Sequence, residues 1–196
     1  STLSGGLAGQ GFADGDKTVA RFSYPEGLEV DNVGNVYVAD SQNNRIRKVT
    51  AAGYVTTIAG KNSGFLDGKG ELASFTWPFA LAMDPEGALI VADRNNHRIR
   101  KVDQDGTVTT LAGTGQPGST DGPGVQAAFN FPESVAIDPF GQVLIIDRNN
   151  NLIRRMTPKG FVITLSGKAG AGYADGAALQ AKFNSPSDVI SAKDGS

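Results

Sequence analysis

Residues 25–49 read PEGLEVDNVGNVYVADSQNNRIRKV. The same order of residue types returns at residues 78–102 as PFALAMDPEGALIVADRNNHRIRKV and at residues 132–156 as PESVAIDPFGQVLIIDRNNNLIRRM. The prolines that open the three copies, Pro25, Pro78 and Pro132, are 53 and 54 residues apart (78 − 25 and 132 − 78). Internal repetition at this period is typical of an array of supersecondary units.

Each copy, with the segment that follows it, contains four short apolar stretches separated by turns. In the first copy the stretches are Leu28–Val30, Val36–Asp40, Arg45–Val49 and Val55–Ile58. Asp or Pro early in a turn and Gly at its end favour tight β-turns, as in Asp31-Asn-Val-Gly34. Four short strands joined by tight turns predict one antiparallel blade of a β-propeller, and therefore an all-β fold.

The connectors between copies share a second pattern. Asp-Gly begins at Asp14, Asp67, Asp121 and Asp175, and a Phe follows eight residues after each Asp. An Asp before a short polar run predicts an N-capped helical turn. We expect this turn to direct its Phe into the core.

The stretch from Pro25 to Ile46 resembles the NHL repeat, and Asn96-His97-Arg98-Ile99 matches that family's core pattern. The resemblance implies a β-propeller of four-stranded antiparallel NHL blades, with about six blades in a ring. We expect one propeller segment over residues 1–196, with repeats at 25–77, 78–131 and 132–185 and partial blades at 1–24 and 186–196. The chain would then be part of a longer polypeptide, or further copies would complete the ring between chains.

Composition restricts the function classes. Eighteen Lys and Arg against twenty Asp and Glu give a net charge of −2, which favours neither nucleic acid nor anionic membranes. The apolar runs are far shorter than the roughly 20 residues that span a bilayer, so we expect no membrane insertion. The absence of Cys excludes disulfides and thiolate sites and leaves the compartment open, although the resemblance favours an extracellular or cell-surface setting.

Two sets of residues are candidates for binding a partner. One set precedes the blade prolines and the other forms polar loops after the second strands, and loops on a rigid scaffold often carry binding residues. The aromatic residues could instead pack under the connectors, which is the favoured interpretation, and Asn suits left-handed turn positions. The candidates are Tyr24, Trp77 and Phe131, and Gln42, Asn43, Asn44, Arg94, Asn95, Asn96, His97, Arg148, Asn149 and Asn150.

Two further repeated features admit a functional and a structural interpretation. Asp40, Asp93 and Asp147 end the second strands, and turn capping through amides two residues later is favoured over a ring of cation ligands. The third strands carry a basic stripe: Arg45, Arg47, Lys48, Arg98, Arg100, Lys101, Arg154 and Arg155. We expect their apolar stems to cover neighbouring blades while their charges reach water.

The sequence offers little for catalysis. Some NHL propellers are zinc-dependent lyases with several His ligands, whereas this chain has a single His and no Cys. It also lacks a Gly-x-Ser-x-Gly elbow and a phosphate-binding loop. We therefore predict a non-catalytic interaction propeller that binds a protein or peptide and needs no cofactor. The alternatives are a channel-mouth lyase or hydrolase completed by further blades, and a propeller that binds glycan or RNA.

Overall fold

The computed structural model describes residues 2–5, 9–168 and 170–192. Its described part contains three antiparallel sheets, joined by tight turns and single turns of 3₁₀ helix. The first sheet has four strands in sequence order: β1 (Pro25–Val30), β2 (Val36–Asp40), β3 (Arg45–Val49) and β4 (Val55–Ala59). The predicted first blade is therefore present, with its strands at the expected positions.

The second and third sheets repeat this order and add one short strand. The second sheet has the order β5-β9-β8-β7-β6, and the third has the order β10-β14-β13-β12-β11. The strands are β5 (Gly68–Lys69), β6 (Pro78–Met83), β7 (Leu89–Asp93), β8 (Arg98–Val102), β9 (Thr107–Ala112), β10 (Gly122–Pro123), β11 (Pro132–Ile137), β12 (Val143–Asp147), β13 (Leu152–Met156) and β14 (Phe161–Ser166). The short strands β5 and β10 belong to the connectors, so each connector pairs with the outer strand of the blade that it enters.

The chain divides into two compact units, residues 1–91 with 101–109 and residues 92–100 with 110–196. In the first unit, buried side chains from successive strands and the connector form one core that includes Ile46, Phe75, Leu89 and Val102. Strand β7 is buried along its whole length. This burial explains the continuous apolar character of the second strands, because both faces of such a strand are packed.

In the second unit the core comes from the same repeat positions. Phe129, Ile145 and Val162 are fully buried, and Leu152 and Met156 are at most 5% exposed. Phe129 is the connector Phe of this unit, as Phe75 is in the first. The expectation that the connector directs its Phe inward is therefore confirmed at both positions.

The connector Asp residues have a different role from the one predicted. The 3₁₀ turn Gly70–Leu72 starts after Lys69, and no side chain caps it. Instead, Asp14 accepts a hydrogen bond from the Thr57 amide at 3.0 Å, and Asp121 accepts one from the Thr164 amide at 3.0 Å. The N-cap prediction is wrong because the outer strand of the blade presents a free amide that this carboxylate reaches.

A glycine closes each fourth strand at a point where the backbone is crowded. Gly60 has φ +91°, and a Cβ built on it would lie 2.4 Å from the Asn44 carbonyl oxygen. Gly113 and Gly167 meet the carbonyls of His97 and Asn151 in the same way, at 2.4 and 2.6 Å. Only glycine fits here, because the end of the fourth strand runs directly against the last residue of the loop after the second strand.

Among the described residues, none of the helical turns has the length and apolar character needed to cross a membrane.

Candidate functional site: the loops after the second strands

Each second strand ends at a carboxylate with no exposed surface. Asp40, Asp93 and Asp147 are all 0% exposed. Asp40 accepts a hydrogen bond from the Ser23 amide at 2.7 Å, and Asp147 accepts one from the Asn130 amide at 2.7 Å. The prediction of turn capping through the following amides is wrong, because the described turns lack a side-chain cap and the bonded amides belong to the connector 17 residues earlier. These carboxylates fasten the connector to the blade.

The loop that follows is a single 3₁₀ turn whose last Asn is also held. The side-chain amide of Asn43 donates to Asp40 at 2.9 Å, and Asn150 donates to Asp147 at 2.7 Å. Asn96 makes the equivalent bond to Asp93 at 2.8 Å. In each of these three candidate partner-binding residues, a side-chain N–H therefore stabilises the loop.

Three residues of the predicted basic stripe are completely buried. Arg47, Arg100 and Arg154 are 0% exposed and lie 2.6–2.7 Å from Asp40, Asp93 and Asp147, respectively. Arg47 also pairs with Asp14 at 2.6 Å, and Arg154 pairs with Asp121 at 2.7 Å. The expectation that their charges reach water is wrong for these three, since each guanidinium is buried against the strand carboxylate, and Arg47 and Arg154 also join it to the connector carboxylate.

Burial raises the pKa of the Asp40 and Asp147 carboxyls, while the bonds from amide groups and from the guanidinium oppose that rise. Desolvation disfavours the charged form of a carboxyl, and a paired guanidinium favours it. The Arg–Asp pairs therefore stabilise the blade and take no part in a free acidic site.

The last residue of each loop adopts a left-handed conformation and bonds to the residue that precedes the first proline of the next blade. Asn44, His97 and Asn151 have φ values of 55°, 54° and 59°. Their side chains accept the backbone N–H of the residue before the next proline, from Trp77 at 2.9 Å, Phe131 at 3.1 Å and Ser185 at 2.8 Å. His97 is therefore a structural acceptor at a position where Asn serves equally well.

His97 is 8% exposed, and burial, with smaller contributions from Arg98 and Arg94, lowers the pKa of its imidazole. A neutral ring is required, because Nδ1 must accept the Phe131 N–H. The folded pKa lies below the unfolded value of about 6.5, so the unfolded chain binds the proton more readily. Stability from this group is complete above pH 6.5 and is lost as the pH falls through the folded pKa.

His97→Asn is expected to keep the stability at pH 7 and to remove this part of its pH dependence. His97→Ala should lower the free energy of unfolding by about 1–3 kcal/mol, because it leaves the Phe131 amide without its acceptor. Urea unfolding at pH 7 and pH 5 measures both effects. Equal destabilisation by the Asn and Ala substitutions would contradict the acceptor role.

In the first unit the loop bonds to the backbone of an aromatic pair, Tyr24 and Trp77, of which Tyr24 is exposed. Their ring centroids are 6.1 Å apart with an interplanar angle of 42°. Tyr24 is 56% exposed, so it does not pack under the connector as the favoured interpretation held, and Trp77 is partly buried. Gln42 is exposed beside them and accepts hydrogen bonds from Gln10 at 2.8 Å and from the Ser23 hydroxyl.

In the second unit the corresponding loops surround a buried carboxylate that sequence reasoning missed. Glu133 is 5% exposed, and its Oε2 accepts hydrogen bonds from Arg94 Nε at 3.3 Å and Arg148 Nη1 at 2.9 Å. We call Arg94, Glu133 and Arg148 the arginine–glutamate cluster. Asn95 and Asn149 lie exposed next to its two arginines in sequence.

Phe131 packs against this cluster rather than standing free. The Arg94 guanidinium lies 4.9 Å from the centre of its ring, and the His97 ring meets it edge-on at 4.8 Å. The structure therefore brings Arg94, His97, Phe131 and Arg148 of the candidate list together. The repeat gave no signal that singled out Glu133, since Glu26 holds the equivalent position after Pro25 and Phe79 holds it after Pro78.

Within residues 2–5, 9–168 and 170–192, the structure contains no group of three or more His, Cys, Asp or Glu side chains placed to hold a metal ion.

Comparison with known families and proteins agrees with the repeat. Residues 22–49 and 75–102, which contain the first three strands of two blades, match the NHL repeat. The chain belongs to the NHL repeat family. Human NHL repeat-containing protein 2 is 33% identical over 153 residues, which are 70% of this chain and 21% of that protein. The NHL chain spans 14–21% of the length of curated relatives that it matches at the sequence level.

Solved structures show that these NHL blades have the propeller fold. An auxiliary nutrient binding protein from Bacteroides thetaiotaomicron matches with a TM-score of 0.72 at 20% identity, over 89% of this chain and 44% of that one. The structure of streptogramin B lyase matches with a TM-score of 0.59 at 16% identity, over 87% of this chain and 46% of that one. The all-β propeller prediction is confirmed.

Proposed function

We propose that this NHL chain is a non-catalytic binding module that recognises a protein or peptide partner through the loops after its second strands and the residues before its blade prolines. The aromatic pair carries the proposal. Tyr24 exposes more than half of its surface beside Trp77, on backbone that other groups already hold. Large aromatic side chains on rigid loops are the usual anchors of protein recognition.

The backbone at the aromatic pair is held in place before any partner binds. Asn44 accepts the Trp77 amide proton, and the Tyr24 carbonyl accepts the Ser41 amide proton at 3.2 Å. Both aromatic residues have positive φ, 49° for Tyr24 and 56° for Trp77, which their surroundings must enforce. A surface that is ordered in advance loses less conformational entropy on binding, so a modest contact area can give useful affinity.

The fold is compatible with more than one activity. The two solved structures of the same fold are named for nutrient binding and for a lyase activity. Function resides in sites rather than in the fold, so the proposal depends on the side chains of this chain. Tyr and Trp rings suit apolar and amphipathic groups of a peptide, and the side-chain amide of Gln42 offers hydrogen bonds beside them.

Trp77→Ala is expected to weaken binding to peptides selected on the wild-type protein by at least about tenfold, which corresponds to about 1.4 kcal/mol. A displayed library of random peptides supplies the ligands, and fluorescence anisotropy of labelled peptides gives the affinities. Tyr54→Ala is the matched control, because Tyr54 is 48% exposed in the same unit but lies in the turn between β3 and β4. A library that yields no enriched sequence, or peptides that bind Trp77→Ala with unchanged affinity, would contradict the proposal.

A further inference from the structure

The two arginines of the arginine–glutamate cluster stand at a loop position where the first blade forms with a serine. Arg94 and Arg148 occupy the position of Ser41, whose hydroxyl in the first blade donates to the Pro78 carbonyl. Glu133 directly follows Pro132, as Glu26 follows Pro25 in the first blade. The first blade has a serine where the second unit has arginine, so the pairing of this glutamate position with two loop arginines is particular to the second unit.

The geometry of the cluster concentrates two cations on a single carboxylate oxygen. Arg94 and Arg148 both donate to Oε2 of Glu133, although the Glu133 side chain is only 6% exposed. The Arg148 side chain keeps 35% of its surface exposed, and the Arg94 side chain keeps 20%. The buried glutamate therefore fixes the guanidiniums of two side chains that are both partly exposed.

Arg148 retains hydrogen-bonding capacity in this arrangement. A guanidinium has five N–H donors in a rigid fork, which suits carboxylates and phosphates. Among the described residues, the side chain of Arg148 donates only to Glu133 through Nη1, and its buried Nε has no hydrogen-bond partner. The Arg148 guanidinium therefore keeps N–H donors that no described residue uses.

The charge of the cluster is also unbalanced. Two guanidiniums share the single carboxylate of Glu133, so these three side chains carry a formal charge of +1. The nearby His97 imidazole has a pKa that is lowered by burial and also by Arg98 and Arg94, consistent with a positive potential. An anionic group would complete both the charge and the hydrogen bonds.

We propose that the arginine–glutamate cluster binds a single carboxylate of the peptide partner, either an Asp or Glu side chain or a C-terminal carboxylate. This inference rests on the proposed peptide-binding function and names the chemistry that one part of the peptide must have. Arg148 contacts the ligand carboxylate, with Arg94 beside it. Glu133 is a positioning residue that holds both guanidiniums.

A carboxylate fits this site better than a nucleic-acid backbone does. Proteins that bind single-stranded nucleic acid line a groove with several cations and stack bases on aromatic side chains. Here two arginines are already half neutralised by Glu133, and the neighbouring Asp147 is paired with Arg154. The exposed side chains of Asn95 and Asn149 add amide donors, which a peptide carboxylate or carbonyl can use.

The test is an NMR titration that follows the side-chain Nε–Hε signal of Arg148. The probes are acetyl-glutamate amide, acetyl-alanine with a free carboxylate and acetyl-alanine amide. We expect the first two to shift the signal, which shows a side-chain and a C-terminal source respectively, and the uncharged amide to leave it unchanged. Equal shifts with all three probes would overturn the proposal, as would tighter binding of oligouridylate than of either carboxylate.

Variants give expected changes in opposite directions. Arg148→Ser, which restores the residue of the first blade, should weaken carboxylate binding at least fivefold, read on the neighbouring amide signals. Glu133→Gln keeps an acceptor for the arginines and removes the competing charge, so it should tighten binding severalfold. Lys159→Ser is the control of equal charge change, in the turn between β13 and β14. Weaker binding by Glu133→Gln, in a variant that circular dichroism shows to be folded, would overturn the proposal.

The outcome separates the two proposals. If the carboxylate probes bind but the library yields no enriched peptide, the peptide-binding function is contradicted and the carboxylate site is not. Selected peptides that depend on Trp77 but bind Arg148→Ser with unchanged affinity contradict the carboxylate site alone.

Discussion

Arg154→Met is expected to lower the free energy of unfolding by about 3–5 kcal/mol, because it leaves the buried Asp147 carboxylate without its counter-ion. Arg154 is 0% exposed and donates to Asp147 and Asp121, each at 2.7 Å. It also donates to the carbonyl oxygens of Ala128 and Thr120, both at 3.0 Å. One guanidinium thus joins the third strand, the second strand and the connector. Urea unfolding followed by circular dichroism measures the loss.

Arg155→Met is the matched control, since Arg155 is the next residue of β13 and is partly exposed. We expect a change within about 1 kcal/mol there, as for other surface substitutions. The double variant Arg154→Met with Asp147→Asn should recover part of the loss, because the uncompensated charge is removed with its partner. Equal effects of the two arginine substitutions would show that the buried pairs do not hold the blade together.

Phe75→Ala is expected to lower the free energy of unfolding by about 3–5 kcal/mol, the usual cost of removing a fully buried aromatic ring. Phe75 has no exposed surface and belongs to the core of the first unit. It is also the residue through which the connector enters that core. The fluorescence of Trp77, the single tryptophan and only two residues away, reports the unfolding of this region directly.

Phe65→Ala changes the same residue type in the same connector, but Phe65 is 45% exposed. We expect it to cost about 1 kcal/mol, clearly less than Phe75→Ala, because nearly half of its surface is already in contact with water in the folded state. If Phe75→Ala were as mild as Phe65→Ala, the connector would not be part of the folded core.

The strands could be predicted from the sequence because their signals are local and repeated. Turn residues at fixed spacing placed strands β2 and β7 correctly, and the recurring Phe placed Phe75 in the core. The connector carboxylates could not be assigned in this way. Asp14 bonds to Thr57, 43 residues away, and no local pattern shows which backbone amide lies within reach of a carboxylate.

The candidate site was predictable only in outline. The polar loops and the residues before the prolines were identified, but the sequence could not separate exposed groups from those that hold the loops. Asn43 and Asn95 are the same residue type in corresponding polar loops. In the structure, however, Asn43 bonds to Asp40 and Asn95 lies exposed. From the sequence, Arg47 is expected to lie on the surface of its strand. The carboxylates that pair with it belong to other elements, so no local pattern reveals its burial.

These results divide the loops into a repeated framework and a variable surface. The framework consists of the buried Arg–Asp pairs and the acceptor residues Asn44, His97 and Asn151, which recur from blade to blade. The variable surface consists of the aromatic pair in the first unit and the arginine–glutamate cluster in the second. Because the framework orders the backbone, a change of side chain on the variable surface can change the ligand without changing the fold.

The most direct test of the binding role is the pattern of amide hydrogen exchange with and without a selected peptide. The account predicts that the peptide slows exchange in the loops 41–44, 94–97 and 148–151 and near Tyr24, Trp77 and Phe131. The turns 31–35, 84–88 and 138–142 should exchange at unchanged rates. Protection confined to those turns, with the loops unaffected, would contradict the account.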